Sequence, residues 1–357
     1  MIVEGAIAVA CAFCGLAGAG GSVPLVGVNV HPLWTDSSVA DFDRELDMAK
    51  AAGANAVRMD LSWASLETQG KGQFSDGYVT KADTFLDHAQ ARGLEVIATL
   101  WSTPCWASSA PEELKQGCEG TWWKRDVHVY APSDPDDYAD AAEWVARRWG
   151  TRLRAVEVWN EPNLAVSLKA SDPAASYASI LKAAYPRIKG AAPWVTVLGG
   201  SLAFSDGDFL KALYDEHAIK GHYDAVAYHP YNEWRPPDDP WLPRYRKYAY
   251  RPGTRWMRDI MVARGDGAVD LWITETGYST CVVGSDRWCV TEAQQAEYTE
   301  ATYRIAREEW PFVGSVISYN LRNKGSGPAD REAQFGLLRR DFEPKPAYAA
   351  LKRALSR

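Results

Sequence analysis

The sequence has no excess of basic residues. It carries 39 lysines and arginines against 46 aspartates and glutamates, which gives a formal net charge of −7. A general binder of nucleic acid or of anionic membranes would present a basic face. The charge balance therefore argues against both kinds of partner.

The first predicted strand is not followed by a glycine-rich loop, and no repeat or low-complexity tract interrupts the chain. Folds that bind dinucleotides or phosphates carry such a loop between the first strand and the next helix. This absence weakens an open doubly wound sheet as the fold. We predict a single domain over residues 25–357 that needs no cofactor, preceded by a separate segment at residues 1–24.

That first segment has little charge, because Glu4 is its only ionised side chain, and it lacks a basic start. Residues 5–21 are small or apolar, as in the hydrophobic and cleavage regions of a secretory signal. The stretch is too short for a comfortable membrane span. We predict a secreted or extracytoplasmic protein with no stable membrane span. A weak lipoprotein-type cleavage pattern ending at Cys11 offers a lipid anchor as the alternative.

Cysteine is scarce, and two of the six cysteines lie in the leader. The other four form two close pairs in loop-like segments, Cys105 with Cys118 and Cys281 with Cys289. Such pairs fit two local disulfides made in an oxidising compartment, although three connectivities satisfy the count. A four-thiolate zinc site is the alternative, but these spacings differ from those of the usual knuckles.

From residue 25 onward, eight apolar runs alternate with helical patterns. The predicted strands are 25–31, 55–60, 94–100, 156–163, 195–200, 223–229, 270–275 and 313–320. The predicted helices are 41–53, 81–93, 138–149, 174–191, 209–216, 254–264, 292–309 and 346–355. Pro186 is expected to kink or shorten the fourth helix. Eight such units predict an α/β fold, a (β/α)8 TIM barrel with long loops after strands 3 and 6.

Two of the predicted strands end on a glutamate, Glu161 on strand 4 and Glu275 on strand 7. A carboxylate at the end of a core strand is costly to place for stability alone. Strands 4 and 7 face each other across the barrel mouth, so the carboxylates can approach to roughly 5–5.5 Å, as retaining glycoside cleavage requires. We predict Glu161, between Trp159 and Pro162, as the protonated acid. Glu275 is predicted as the ionised nucleophile.

Polar and aromatic residues at other strand ends and in the long loops complete the predicted site. The candidate substrate-binding residues are Asn160, Arg58, His229, Tyr231, Trp101, His31, Tyr319 and Trp234. Flat aromatic side chains suit the apolar faces of sugar rings. Each candidate also has a structural interpretation. Arg58 could simply pair with Asp60, His229 could be a framework histidine, and Trp101 and Trp234 could only cover the mouth.

Other barrel chemistries lack their residues. A Schiff-base lyase needs a lysine at a strand end, and none of the eight predicted ends offers one. A metal hydrolase usually carries His-x-His on strand 1, where this sequence has Asn29-Val30-His31. A two-carboxylate metal isomerase is the alternative that these residues leave open. We predict no metal site, and we expect a monomer.

The motif Trp159-Asn160-Glu161-Pro162, together with Glu275 in Ile-Thr-Glu-Thr-Gly, resembles clan A glycoside hydrolases over about residues 25–350. The likeness is closest to families 39 and 5, including bacterial exopolysaccharide endoglycosidases. It implies that Glu161 is the acid/base, Glu275 the nucleophile and Asn160 a partner of the sugar 2-hydroxyl. It also implies that Arg58 orients Glu275.

His229-Pro230-Tyr231 is similar to the strand 6 pattern of many members. Tyr319 stands where many members have tryptophan, and Trp101 where family 5 often has histidine. The resemblance implies a retaining β-glycosidase. The two long aromatic loops after strands 3 and 6 favour an open cleft and internal cleavage of a polysaccharide or oligosaccharide by this secreted enzyme, although the same loops could close one end of the cleft. An exo-acting, β-xylosidase-like enzyme and a non-catalytic sugar-binding barrel are the alternatives.

Overall fold

The computed structural model describes residues 24–118, 121–240, 243–282, 284, 286–325 and 327–356. The predicted leader, including Cys11 and all but its last residue, lies outside the described residues.

Eight parallel strands close a barrel in the order in which they occur along the chain. They are β1 (Leu25–Val30), β2 (Ala56–Ser62), β3 (Glu95–Trp101), β4 (Ala155–Val158), β5 (Thr196–Ala203), β6 (Ala225–His229), β7 (Asp270–Thr276) and β8 (Val313–Ser318). Parallel pairing of β8 with β1, in which Leu25 lies opposite Ser315, completes the closure. The predicted (β/α)8 TIM barrel is confirmed.

Helices follow the strands and cover the outside of the barrel. They are α1 (Val39–Ala51), α2 (Trp63–Leu66), α3 (Asp76–Ala91), α4 (Glu112–Lys115), α5 (Pro135–Trp149), α6 (Pro173–Ala191), α7 (Gly207–Asp215), α8 (Tyr250–Ala263), α9 (Glu292–Glu309) and α10 (Pro346–Leu355). Several begin on a side-chain cap, such as the reciprocal capping box between Ser38 and Asp41.

Of the two effects predicted for Pro186, shortening of the helix does not occur, because α6 continues to Ala191. Buried residues lie on both sides of the proline, including Leu181 and Ile188. We infer that packing of this face outweighs the lost backbone hydrogen bond, a common tertiary override of local preference.

The barrel interior changes from apolar to polar along the strands. At the lower end, Ala56, Ile97, Ala155 and Trp272 belong to one buried apolar cluster. Because side chains two residues apart share a face of a strand, the next inward layer holds Arg58, Thr99, Glu157 and Thr274. All four are buried. The interior therefore becomes polar below the C-terminal mouth, where TIM barrels hold their active sites.

Both predicted disulfides are present. Cys105 is joined to Cys118 and Cys281 to Cys289, with Cα–Cα distances of 6.1 and 5.1 Å. The first bridge lies in the predicted long loop after β3, which also contains α4. Because these four sulfurs are bonded in pairs, the alternative of a shared zinc ion does not apply. Within the described ranges, every helix is too short or too polar to cross a membrane.

Candidate active site

Glu161 and Glu275 are brought together at the C-terminal mouth of the barrel. One carboxylate oxygen of each lies within 4.8 Å of the other and of a ring nitrogen of His229. The side chain of Glu275 is 10% exposed, whereas that of Glu161 is 21% exposed. Both carboxylates line an open cleft, so a ligand can reach them.

The segment that carries Glu161 leaves β4 earlier than predicted. The strand ends at Val158, and Trp159 and Glu161 have φ angles of 67° and 49°. A non-glycine residue in this region costs of order 1–3 kcal/mol, so surrounding contacts must hold it. The Glu161 N–H donates to the Ser201 carbonyl at 2.8 Å. Trp159 is buried and its indole donates to the Ser167 carbonyl, so it does not line the cleft beside Glu161.

Arg58 is the buried centre of the site. Its Nη1 donates to Glu275 Oε1 at 2.6 Å and to Asn29 Oδ1 at 2.9 Å. Its Nε donates to Glu157 Oε2 at 2.6 Å, and its Nη2 to Asn160 Oδ1 at 2.9 Å. Burial would lower the pKa of Arg58, but the charges of Glu157 and Glu275 outweigh it and raise the pKa. Arg58 is therefore a fixed cation that holds Glu275.

Glu157 is a buried charged residue beneath the cleft that the sequence analysis does not identify. It is fully buried and accepts hydrogen bonds from Thr99, Ser201 and Thr274 as well as from Arg58. Burial would raise the pKa of Glu157, but Arg58 opposes this effect and the pKa lies below its usual range. The signal was available, since an acidic residue in the middle of a buried strand requires a buried cation.

His229 lies at the end of β6, directly beneath the two glutamates. Its Nδ1 is 2.9 Å from Glu161 Oε1 and 3.8 Å from Glu275 Oε2, and its Nε2 is 3.9 Å from Glu157 Oε1. Only the contact with Glu161 is a hydrogen bond. Burial would lower the pKa of His229, but the surrounding carboxylates Glu275, Glu157 and Glu161 raise it to about 9.

Tyr231 and Asn160 complete the surroundings of Glu275 and Arg58. The Tyr231 hydroxyl donates to Glu275 Oε2 at 2.7 Å. Burial and the charge of Glu275 keep the pKa of Tyr231 well above its usual value, so the hydroxyl stays a donor. Both oxygens of Glu275 therefore carry a hydrogen bond. Because the Asn160 oxygen accepts from Arg58, its amide N–H groups are directed elsewhere, and Asn160 lines the cleft.

The cleft above this network has a volume of about 490 Å³, within the range of small-ligand sites. Its walls come from the ends of several strands and from the loops after β1, β4, β5, β6, β7 and β8. The lining residues are Trp34, Asp60, Trp101, Asn160, Glu161, Leu164, Val166, Ser167, Phe204, Tyr231, Glu275, Trp288, Tyr319, Lys324, Arg331, Glu332 and Phe335.

Four of the eight predicted substrate-binding residues do not line the cleft. Arg58 and His229 are 1% and 0% exposed, so they reach a ligand only through the residues that they hold. His31 lies behind the lining, where it bonds to Asp60 and stacks on Trp34. Trp234 does not line the cleft and lies beside Arg235.

Trp101 and Tyr319 do line the cleft, as Asn160 and Tyr231 do. Tyr319 lies edge-on to Tyr231, with ring centroids 6.2 Å apart. The alternative in which Arg58 pairs with Asp60 is not seen, because Asp60 bonds to His31 instead. Trp34 and Lys324 of the lining were also missed, since both lie in loops whose course the strand pattern does not fix.

Glu161, His229 and Glu275 are also close enough together to ligate a cation. In this structure, however, Glu275 already bonds to the guanidinium of Arg58 and to Tyr231, and His229 bonds to Glu161. A metal would have to displace these partners and share the site with a buried positive charge. The donor set therefore fits proton and covalent chemistry better than metal binding.

Several known proteins resemble this chain. Over 129 residues, or 36% of the chain, it is 30% identical to the beta-glucosidase of Agrobacterium sp. (strain ATCC 21400), and the match spans 25% of that protein. A family 39 glycoside hydrolase from Bacteroides cellulosilyticus WH2 superposes with a TM-score of 0.71 at 23% identity. That match covers 93% of this chain and 64% of the other, so the chain spans under two thirds of either relative.

A monomeric beta-xylosidase from Caulobacter crescentus CB15 superposes with a TM-score of 0.65 at 19% identity, covering 92% of this chain and 67% of that one. At these identities the two structures support the fold alone. The model of the family described as "Cellulase (glycosyl hydrolase family 5)" matches residues 16–307, which is most of the chain. The resemblance to clan A glycoside hydrolases is thereby confirmed, and the chain belongs to glycosyl hydrolase family 5.

Proposed function

We propose that the protein is a retaining β-glycosidase in which Glu275 is the nucleophile and Glu161 the acid/base. The observation that carries the proposal is the pair of strand-end carboxylates, with oxygens within 4.8 Å of each other in an open cleft. Retaining enzymes hold their two carboxyl groups at about 5–5.5 Å, whereas inverting enzymes need roughly 6.5–9.5 Å to admit a water.

The two carboxylates have different surroundings, and this difference supports their separate roles. Glu275 accepts from the buried cation Arg58 and from Tyr231, which favours its ionised form. Glu161 is the more exposed of the two and bonds to His229, which can hold or return a proton across 2.9 Å. In the first step Glu275 attacks the anomeric carbon, the bond to the leaving oxygen breaks, and Glu161 gives that oxygen its proton.

In the second step the roles of Glu161 and Glu275 reverse. Glu161, now ionised, takes a proton from a water that attacks the anomeric carbon, and the bond to Glu275 breaks. Two displacements on opposite faces return the original anomeric configuration. Arg58 and Tyr231 stabilise the charge that returns to Glu275. The names of the Agrobacterium beta-glucosidase and the Caulobacter beta-xylosidase are consistent with a β-linked substrate.

We further propose internal cleavage of a polysaccharide or oligosaccharide by a secreted enzyme. Trp34 follows β1 and Phe204 follows β5, strands on opposite sides of an eight-stranded barrel, and both line the cleft. Aromatic surfaces on both sides of the glutamate pair suit a chain that continues in both directions. The two disulfides support an oxidising compartment.

The decisive experiment compares Glu161→Ala, Glu275→Ala and the control Glu308→Ala on aryl β-glycosides and on β-linked polysaccharides. Glu308 is an exposed residue of α9, with 54% of its side chain accessible. We expect kcat to fall by at least about 10²–10⁴-fold in both site variants and to be unchanged in the control. Added azide should restore turnover of Glu275→Ala and give an α-glycosyl azide, because it attacks from the vacated face.

Azide acting on Glu161→Ala should instead give the β-glycosyl azide. Full activity in either site variant would reject the assignment, and an inverted sugar product from the unmodified enzyme would reject the retaining mechanism. Release of single sugars from a polymer end, rather than a rapid fall in viscosity, would identify the exo-acting alternative.

A further inference from the structure

Two residues of opposite charge line the same cleft as Glu275, and the mechanism above does not use them. Asp60 lies in β2, two residues after Arg58. Lys324 lies in the loop after β8, and β8 pairs with both β7 and β1. Both line the cleft. They nevertheless form no ion pair with each other. A carboxylate and an ammonium that line one cleft without pairing with each other can both bond to a polar group of a ligand.

Lys324 is a partly desolvated cation held by aromatic rings. Its Nζ bonds to the Tyr319 hydroxyl and lies 4.7 Å from the Trp34 ring centroid and 4.5 Å from that of Tyr319. Burial lowers the pKa of Lys324. No carboxylate in the described part of the chain forms an ion pair with it. An ammonium has three donors, so two remain for a ligand.

Asp60 is an ionised acceptor with a free oxygen. Its Oδ2 is 3.0 Å from His31 Nδ1, and the His31 ring is stacked on Trp34 with centroids 4.2 Å apart. Burial lowers the pKa of His31, so its neutral ring donates to Asp60. Burial would raise the pKa of Asp60, but this hydrogen bond opposes it and the pKa lies below its usual value. Oδ1 has no partner among the described residues.

We propose that Asp60 and Lys324 together bind one hydroxyl group of the sugar that Glu275 attacks. A hydroxyl can donate to the carboxylate and accept from the ammonium at once, which satisfies both charged groups. The inference rests on the proposed function, and it adds the substrate class. The glycone is an uncharged sugar that carries a hydroxyl at this position.

An acidic sugar fits less well at the same place. Its carboxylate would approach Lys324 but would also lie close to the negative charges of Asp60 and Glu275. The cleft lining carries four acidic residues and two basic ones, so its balance repels an anion. The hydroxyl, by contrast, brings no charge into this surrounding.

The test uses the neutral aryl β-glycoside that the enzyme cleaves fastest, chosen from glucoside, xyloside, mannoside and galactoside, together with its monodeoxy derivatives. A site built to bond a hydroxyl rejects the analogue that lacks it, because its polar groups stay unpaired. We expect one deoxy derivative to lose about 10²-fold or more in kcat/KM with the unmodified enzyme. In Lys324→Met and Asp60→Asn, the ratio of kcat/KM between the parent sugar and that deoxy derivative should fall below about 10-fold, since the hydroxyl has lost a charged partner.

This ratio separates recognition from a structural effect, because a misshapen site would slow the parent sugar and all deoxy sugars alike. Retention of the full discrimination in both variants would overturn the proposal. So would faster cleavage of an aryl β-glucuronide than of the matching glucoside. The same ratios can be measured as affinities of methyl glycosides, by quenching of tryptophan fluorescence. That readout needs no turnover, so it stays informative even if Glu161→Ala and Glu275→Ala refute the proposed function.

Discussion

Arg58 Nη1 lies 2.6 Å from Oε1 of Glu275, and the guanidinium that makes this contact is 1% exposed. The cation therefore holds the proposed nucleophile from beneath, without reaching the substrate itself. Its planar fork bonds to four different side chains at once, which a lysine ammonium cannot match in geometry.

Arg58→Lys should consequently lower kcat by about 10²–10³-fold, as does removal of one preorganised donor at a site of developing charge. KM should change much less, because Arg58 does not touch the sugar. The measurement is steady-state kinetics on an aryl β-glycoside, with thermal unfolding as the check that the fold is retained. A variant in which KM rises and kcat is unchanged would contradict the orienting role.

Glu157 is the buried counter-charge of Arg58, and its loss should be felt mainly in stability. Glu157→Gln leaves the guanidinium without its fully buried partner, and breaking such a pair costs about 3–5 kcal/mol. We expect a fall of this order in the free energy of unfolding, measured in urea at neutral pH. The matched control Glu308→Gln breaks an exposed pair with Arg304 and should change it by less than about 1 kcal/mol. Equal losses of unfolding free energy in the two variants would refute the role of Glu157 as the buried counter-charge of Arg58.

The strand-end residues could be predicted from the sequence because an apolar run that stops on a charged residue marks a position at the barrel mouth. This pattern identifies Glu161 and Glu275. Glu157 is not identified by this pattern, because it lies inside an apolar run rather than at its end. Its parity with Ala155 places it on the inward face, so the pattern contained the information.

The positions of the loop residues could not be predicted from the strand pattern. Trp34 and Lys324 approach Glu275 only because the loops after β1 and β8 meet over the barrel, and no periodicity fixes that meeting. Burial posed a similar difficulty. Arg58 is predicted to contact the sugar, with pairing to Asp60 as an alternative, whereas the family resemblance implies that it orients Glu275. Only the contact with Glu275 is observed, because the second polar layer lies beneath the cleft floor, which the sequence cannot show.

His229 should make the protein less stable as the pH rises above neutrality. The surrounding carboxylates raise its pKa to about 9, against about 6.5 in an unfolded chain. The folded protein therefore binds the proton more tightly, and the resulting stabilisation is complete below pH 6.5 and is lost as the pH approaches about 9. We expect the difference in unfolding free energy between the unmodified protein and His229→Gln to shrink over this window.

The control for that series is His88→Gln, which removes a half-exposed histidine from α3. A difference that stays constant or grows with pH would show that His229 is neutral in the folded protein. The same titration bears on catalysis, because the His229–Glu161 pair must hold a proton for the first step. Loss of activity on the alkaline side should therefore accompany the loss of stability.

Lys345 should have the opposite effect on stability, because burial lowers its pKa to about 7. It is 2% exposed and donates to Thr280 Oγ1, Asn323 Oδ1 and the Gln334 carbonyl at 2.8–3.1 Å. These contacts join the loops after β7 and β8 that form one wall of the cleft. An unfolded chain would keep the lysine protonated up to a pKa of about 10.4.

Between pH 7 and about 10.4 the unfolded chain thus binds more protons than the folded one, so this lysine makes stability rise with pH, by at most about 1.4 kcal/mol per unit. Lys345→Met should remove the rise, and it also leaves the oxygen atoms that Lys345 contacts without their donor. Chemical unfolding between pH 6 and 9.5 provides the measurement, and the exposed Lys352→Met is the matched control. If the unfolding free energy of Lys345→Met rises with pH as steeply as that of the control, Lys345 is protonated in the folded protein. The loops are then joined by an ammonium ion rather than by a neutral amine.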